Sequence, residues 1–178
     1  MNKRIRWTTL AFAVFATLSC AATGEKAEKA VPEARKKEIA FLDKAIEKEK
    51  DAAVLPGLLF KRGHAYLEEA ESIRELKEKA EHDSPEAWEY ARLLLGALRD
   101  FEDVTTNFPQ SAEAPESLFH LGVIYDAPNL SSFGLALNYY ERTIERYPGT
   151  ESARKARIAI DQIKAYLHDF EEGRHGVQ

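Results

Sequence analysis

Apolar residues recur at intervals of three and four along most of this chain, the spacing of a helix with one buried face. Two long runs show the pattern, with apolar residues at 55, 58, 59, 66, 70, 73 and 76 and then at 87, 88, 91, 94, 95, 98, 101 and 104. Ser84, Pro85 and Glu86 form a helix start, and prolines at 109, 128 and 148 separate the later segments. The pattern predicts an all-α protein of six antiparallel helices at about 33–50, 54–81, 84–107, 112–126, 131–147 and 150–172.

The stretch from Leu118 to Tyr125 carries Leu-Gly at 121–122 and an aromatic residue three positions later. Because glycine has no Cβ, a neighbouring helix can approach closely at Gly122 while the large residues around it fill the remaining space. The stretch therefore predicts a helix face with a gap at the glycine position, which we call the hole.

The chain also matches itself at two offsets. At an offset of 59, residues 41–63 fall on 100–122 without a gap, so that Gly63 falls on Gly122 and, beyond them, Tyr66 on Tyr125. At an offset of 39, the aromatic and proline positions of 101–109 fall on those of 140–148. Self-similarity at fixed offsets predicts a helical repeat array.

The repeated positions resemble the tetratricopeptide repeat (TPR). The marks of that family appear in the second copy as Leu118, Leu121, Gly122, Tyr125, Ala136, Tyr140 and Pro148, and in the first as Leu59, Gly63, Tyr66, Ala97, Phe101 and Pro109. The resemblance covers about 39–170 and implies a short TPR-like array within a domain at 33–172.

The first copy is longer than the second. Tyr66 and Ala97 are separated by 31 residues, whereas Tyr125 and Ala136 are separated by 11. The extra segment, about 68–86, predicts an extended helical hairpin, either a solvated arm or a contact for a partner. Asp161 and Lys164 stand where the repeat would place glycine and tyrosine, so the last helix is predicted to be a C-terminal cap, followed by a disordered tail at 173–178.

The N-terminus has the features of an export signal. A basic start precedes an apolar run from Thr8 to Leu18, which is too short to span a bilayer. Residues 16–20, Ala-Thr-Leu-Ser-Cys, resemble a bacterial lipobox, which implies a signal peptide at 1–19, a lipid on Cys20 and a flexible tether at 20–32. An ordinary cleaved signal peptide and an uncleaved anchor remain alternatives. The residue after Cys20 is alanine, which by resemblance favours the outer membrane, on its periplasmic face.

Charge and motifs narrow the functional classes. Without residues 1–19 the chain has 22 basic and 30 acidic residues, a balance that argues against nucleic acid as a partner. None of the five histidines lies in an H-E-x-x-H motif or in any other metal-ligand spacing, so no metal site is predicted, and there is no glycine-rich phosphate loop. The sequence therefore predicts no enzyme and no cofactor apart from the covalent lipid.

In TPR proteins the first helix of each repeat lines a concave binding face. The resemblance implies that this face is formed here by Phe60, His64, Leu67, Phe119, Val123, Asp126, Ile158 and Gln162. These positions lack the Lys, Arg and Asn of TPRs that grip a terminal carboxylate, so an apolar or helical segment is the expected ligand. The alternative is that Phe60 and Phe119 belong to the core between repeats.

A lipobox, a tether and a few TPRs resemble the BamD-like group of outer-membrane lipoproteins and the TPR module of the Tol-Pal system. The resemblance implies a lipid-anchored periplasmic scaffold that binds an envelope protein, with the membrane contacted only through the lipid. Two alternatives stay open: a pilotin-like lipoprotein that escorts a secretin, and a structural or oligomeric subunit of an envelope machine.

Overall fold

A computed structural model describes residues 24–79, 84–127, 130 and 132–175. Within these residues the chain forms six helices and no strand, which confirms the all-α prediction. The helices are α1 (Gly24–Lys48), α2 (Leu55–Lys79), α3 (Pro85–Asn107), α4 (Ala114–Asp126), α5 (Phe133–Arg146) and α6 (Glu151–His175).

The start of α3 shows why these boundaries follow from the sequence. Ser84 has extended backbone and its Oγ accepts a hydrogen bond from the Ala87 amide at 3.1 Å. Pro85 occupies the first helical position, where its missing N–H costs nothing, and Glu86 lies in the first turn, where the helix dipole favours a negative charge.

Two predicted boundaries are wrong. The flexible tether was expected to extend to residue 32, but α1 begins at Gly24. Residues 25–30 are Glu, Lys and Ala only, all strong helix formers, and the preference for helix outweighs the low content of large apolar residues. At the other end α6 continues to His175, so 173–175 are helical instead of disordered. Residues 1–19, Cys20 and 176–178 lie outside the described residues.

Consecutive helices alternate in direction. Across α1 and α2, Arg35 lies beside Glu68 while Asp43 contacts Arg62. Across α2 and α3, Gly63 meets Phe101 and Tyr66 meets Gly96. As residue numbers rise on one helix they fall on the next, and the short connections between the later helices continue this pattern. Thus α2, α4 and α6 run in the same direction.

The predicted hole in the helix face is present twice. A Cβ built on Gly122 would lie 2.5 Å from the ring of Tyr140, and one built on Gly63 would lie 2.8 Å from the ring of Phe101. Tyr140 and Phe101 are both buried. In each copy, therefore, an aromatic ring of the second helix sits on the glycine of the first, which brings α2 against α3 and α4 against α5.

The ends of α3 and α5 repeat at the offset of 39. Phe108 and Tyr147 have nearly the same backbone angles, φ −131° and ψ 50° against φ −128° and ψ 53°. Their amides donate to the carbonyls of Val104 and Thr143 at 3.0 and 3.1 Å. The internal repetition thus extends to the hydrogen bonds that end each repeat.

The extra residues of the first copy lengthen two helices. α2 and α3 have 25 and 23 residues, whereas α4 and α5 have 13 and 14. At about 1.5 Å per residue, roughly ten more residues extend each helix by about 15 Å. The outer part of the hairpin has its own buried cluster of Ala70, Tyr90 and Leu93, and α1 covers one side of α2.

The last helix packs on α5 and α4. Ala156, Ile160 and Ile163 join Ala136 and Tyr140 in one buried cluster. Asp161 and Lys164 are exposed. The positions that would receive a further repeat are therefore charged and in solvent, as expected of a capping helix.

Candidate functional site

α2, α4 and α6 contribute side chains to one surface, which we call the α2/α4/α6 face. The His64 ring of α2 lies 4.4 Å from the His120 ring of α4. Lys155 of α6 reaches α4, with its Nζ 3.9 Å from Glu116 Oε1 and 5.9 Å from the Phe119 ring centroid. These contacts bring side chains of all three helices together on one surface.

The predicted residues of α2 form the N-terminal part of this face. Phe60 and His64 are half-buried, with ring centroids 4.6 Å apart. Phe60 and Leu67 also pack against the buried cluster that contains Phe101 and Leu118. These side chains therefore support the contact between repeats while keeping part of their surface accessible.

Phe119 has the same double character. Its ring lies 5.5 Å from that of Tyr140 and it packs against the cluster formed by α5 and α6. The alternative raised by the sequence, that Phe60 and Phe119 belong to the packing between repeats, agrees with these contacts. Replacing either residue would disturb the fold as well as the face.

The other predicted residues divide into two kinds. Val123 is 37% exposed and Ile158 is 45% exposed, and Gln162 is also exposed. Asp126 instead accepts a hydrogen bond from the Tyr140 hydroxyl at 3.4 Å, and burial raises its pKa. Val123, Ile158 and Gln162 are thus available to a ligand, whereas Asp126 is engaged with the core.

Two histidines and a glutamate occupy the centre of the α2/α4/α6 face. The His120 ring stacks on Phe101 with centroids 5.3 Å apart and planes 17° apart. Its Nε2 lies 3.8 Å from Glu116 Oε1, one helical turn away on α4. The close approach of Phe101 to Gly63 places α3 under this point, so the same hole that packs the repeat supplies an aromatic floor for both histidines.

The electrostatics of this centre follow from its partial burial. Burial and the neighbouring His120 lower the pKa of His64 to about 4, so His64 is neutral near pH 7. The neighbouring His120 imidazole lowers the pKa of Glu116, which keeps this carboxylate ionised. At neutral pH the centre thus combines a neutral imidazole, a carboxylate and the ammonium of Lys155.

A second charged cluster lies where α1, α2 and α3 meet. Arg62 donates from Nε and Nη2 to both oxygens of Asp100 at 2.7 and 2.6 Å, and from Nη1 to Asp43 at 2.8 Å. Asp100 is 1% exposed, and its burial raises its pKa while the Arg62 hydrogen bonds lower it. Arg62 stands where the repeat would have leucine, and it joins α1, α2 and α3 through this network.

Sequence reasoning placed His64 on the face but missed Glu116, His120 and Lys155. The overlay at 59 pairs His120 with Lys61, so the repeat gave no reason to select it. The available signal was the i,i+4 spacing of Glu116 and His120, which places both on one side of a helix. Their proximity to His64, which lies 52 and 56 positions earlier, depends on how α2 and α4 both pack on α3.

Comparison of the chain with protein-family models, with curated proteins and with solved structures gives no match. Among the helices of the described segments, none has a stretch long and apolar enough to cross a bilayer.

Proposed function

We propose that the protein is a lipid-anchored scaffold on the periplasmic face of the outer membrane, where it binds an envelope protein through the α2/α4/α6 face. The observation that carries the binding part is the exposure of Val123 and Ile158 beside a partly buried polar centre. The lipid anchor is supported by the residues around Cys20 alone.

The face suits a helical or apolar segment better than a terminal carboxylate. Among the residues predicted for this face, the exposed ones are aliphatic at Val123 and Ile158 and polar but uncharged at Gln162. We propose that a helical ligand lies along α4 and α6 and contacts Val123 of α4 and Ile158 of α6. Side chains of such a ligand would bury apolar surface there, while Glu116 and Lys155 would fix its register.

Anchoring would raise the effective concentration of the scaffold for partners in the same membrane. Two or three acyl chains contribute about 0.8 kcal/mol per buried CH₂ group, so the attachment would be firm. The proposed action is therefore binding and positioning, without a chemical step.

The binding proposal is tested with the full chain in membranes by crosslinking through a photoreactive residue at Gln162 and by mass spectrometry of the adduct. We expect one dominant envelope protein, whose adduct is lost in Ile158→Asp. Leu135→Asp is the matched control, since Leu135 is 49% exposed on α5. Equal crosslinking in both variants, with unchanged melting temperatures, would contradict the proposed face.

The anchor is tested separately. We expect Cys20→Ser to move the full chain from the membrane fraction to the soluble periplasmic fraction, with loss of the lipid mass. If Cys20→Ser still sediments with membranes, the lipid anchor is wrong and an uncleaved N-terminal anchor takes its place.

A structural subunit is the second candidate, favoured by the exposed apolar side chains of the hairpin. Trp88 and Leu95 are each 66% exposed and lie seven residues apart, two turns along α3. Self-association through this side would appear in light scattering of the full chain as an oligomer that Trp88→Glu dissociates. A monomer at all concentrations would remove this candidate.

A further inference from the structure

The most unusual group on the α2/α4/α6 face is the set of His64, Glu116 and His120. One ligand-type atom from each of these three side chains lies within 4.8 Å of the other two. All three side chains are half-buried, and the Glu116 side chain, at 44% exposure, opens the group to solvent. Imidazole and carboxylate are the ligand types that first-row transition metals prefer.

We infer that His64, Glu116 and His120 form a three-ligand site for a transition-metal dication of the Zn²⁺ type. Two histidines and one carboxylate with an open fourth position are a known ligand set for Zn²⁺. The site shares His64 and Glu116 with the face proposed to bind a partner, but it does not rest on that function and is tested on the protein without a partner.

The distances require only a small adjustment. Tetrahedral coordination with metal–ligand bonds of ~2.1 Å separates the ligand atoms by ~3.4 Å. The Nε2 of His120 and Oε1 of Glu116 are already 3.8 Å apart. No two of the three ligand atoms are more than 4.8 Å apart, so no separation has to shrink by more than about 1.4 Å. Rotation of the half-exposed Glu116 side chain can shorten its own distances to the two imidazoles.

The two imidazoles are held in place by packing. Phe60 and Phe101 contact His64 with ring centroids 4.6 and 5.7 Å away, and Phe101 also stacks on His120. Fixed ligands lose little side-chain entropy when a metal binds. Nδ1 of His120 is buried and forms no hydrogen bond among the described residues. The fold therefore leaves one of the two ring nitrogens of His120 without a hydrogen-bond partner.

Lys155 is the competing cation. Its Nζ lies 3.9 Å from Glu116 Oε1, and its side chain is 35% exposed. A pair so long and so accessible to water contributes little, and the ammonium can swing into solvent when a dication arrives. The repulsion between the two cations nevertheless weakens metal binding, so removing the charge should strengthen it.

The site is tested by calorimetric titration of Zn²⁺ into the full chain in detergent, with Cys20→Ser in every sample so that no thiolate competes. We expect one Zn²⁺ per chain, undisturbed by a large excess of Mg²⁺, which prefers oxygen ligands. Losing a residue that only supports a metal ligand typically lowers metal affinity about 10–100-fold. Glu116→Gln and His64→Gln each remove a direct ligand, so each should lower the Zn²⁺ affinity at least about ten-fold. Lys155→Met should raise the affinity. His168→Gln is the matched control, since His168 lies on the exposed side of α6 and should leave the affinity unchanged.

Circular dichroism shows which variants fold. Because the Glu116 side chain is half-exposed, Glu116→Gln should keep its helices even if a histidine variant does not. Titration with Co²⁺ provides a second readout, because its visible bands report the ligand field, and these bands should disappear in Glu116→Gln. Zn²⁺ affinity that is the same in the parent, Glu116→Gln and His64→Gln would overturn the site. So would the absence of saturable binding, or binding lost only in His168→Gln.

Discussion

Replacing Gly122 by alanine tests the packing principle of the whole array. The new Cβ would lie 2.5, 2.6 and 3.0 Å from three atoms of the Tyr140 ring. Carbon atoms in contact are normally about 3.5–4.0 Å apart, so the ring has to move by about 1 Å. Tyr140 has little freedom to do so, because it is buried, lies 5.5 Å from the Phe119 ring and donates its hydroxyl hydrogen to Asp126.

Two opposing effects set the magnitude. Overpacking a well-filled core costs about 1–3 kcal/mol. Alanine within a helix is more favourable than glycine by about 1 kcal/mol. Because a rigid ring and not a flexible side chain occupies the space, the upper part of the first range applies. We expect a net loss of about 1–2 kcal/mol in the free energy of unfolding, or a fall in Tm of about 2–8 °C for a helical domain of this size.

Gly134→Ala is the matched control for thermal and urea unfolding of the full chain. Gly134 is exposed on α5, and a Cβ built there has no atom within 4 Å. The same chemical change should therefore stabilise the protein, by about 0.4–1 kcal/mol. The two glycine variants are expected to shift Tm in opposite directions.

A double variant identifies the cause. In Gly122→Ala combined with Tyr140→Leu the clash is gone, so the loss should be smaller than the sum of the single losses by about 0.5–3 kcal/mol. If Gly122→Ala is as stable as the parent, or if the two losses simply add, the packing of the Tyr140 ring does not require glycine at position 122. The close contact between α4 and α5 at this glycine then does not stabilise the repeat.

Two further predictions concern polar contacts. Arg62→Met leaves the Asp100 carboxylate buried without its two hydrogen bonds. Urea unfolding should therefore show a loss of about 3–5 kcal/mol in the free energy of unfolding, most of it recovered when Asp100→Leu is added. A small loss in Arg62→Met would mean that water reaches Asp100. Ser84→Ala removes the hydrogen bond from the Ala87 amide and should lower the free energy of unfolding by about 1 kcal/mol. Ser72→Ala is the control, because the Ser72 hydroxyl donates to a carbonyl within α2 and caps no helix end. Equal losses in the two variants would contradict a capping role for Ser84.

The helices could be predicted from the sequence because each one has local causes. The start of α3 depends on Ser84 and Pro85, and the two glycine contacts depend on residues that the overlays had already aligned. The predicted tether failed at 24–32 because a lack of apolar residues predicts weak packing but does not prevent a helix. Glu, Lys and Ala favour helix without any tertiary contact.

The centre of the α2/α4/α6 face was only partly predictable. His64 follows from the repeat register, but Glu116, His120 and Lys155 come together through the spacing of α2, α4 and α6. That spacing is set by how deeply Phe101 sits on Gly63 and how Leu118 and Leu121 pack around it. A sequence pattern gives the face of a helix and not the distance between two faces.

The alternating order of the helices also governs how the chain reaches this structure. Each helix packs mainly on its neighbours in sequence, and the contacts between α4 and α6 skip only one helix. Few contacts join distant parts of the chain, so the entropy lost in closing loops is small and folding is expected to be fast. The same arrangement lets α1 or α6 open without exposing Phe101 and Leu118, so amide hydrogen exchange should be slowest at the junction of α3 and α4 and faster toward both ends.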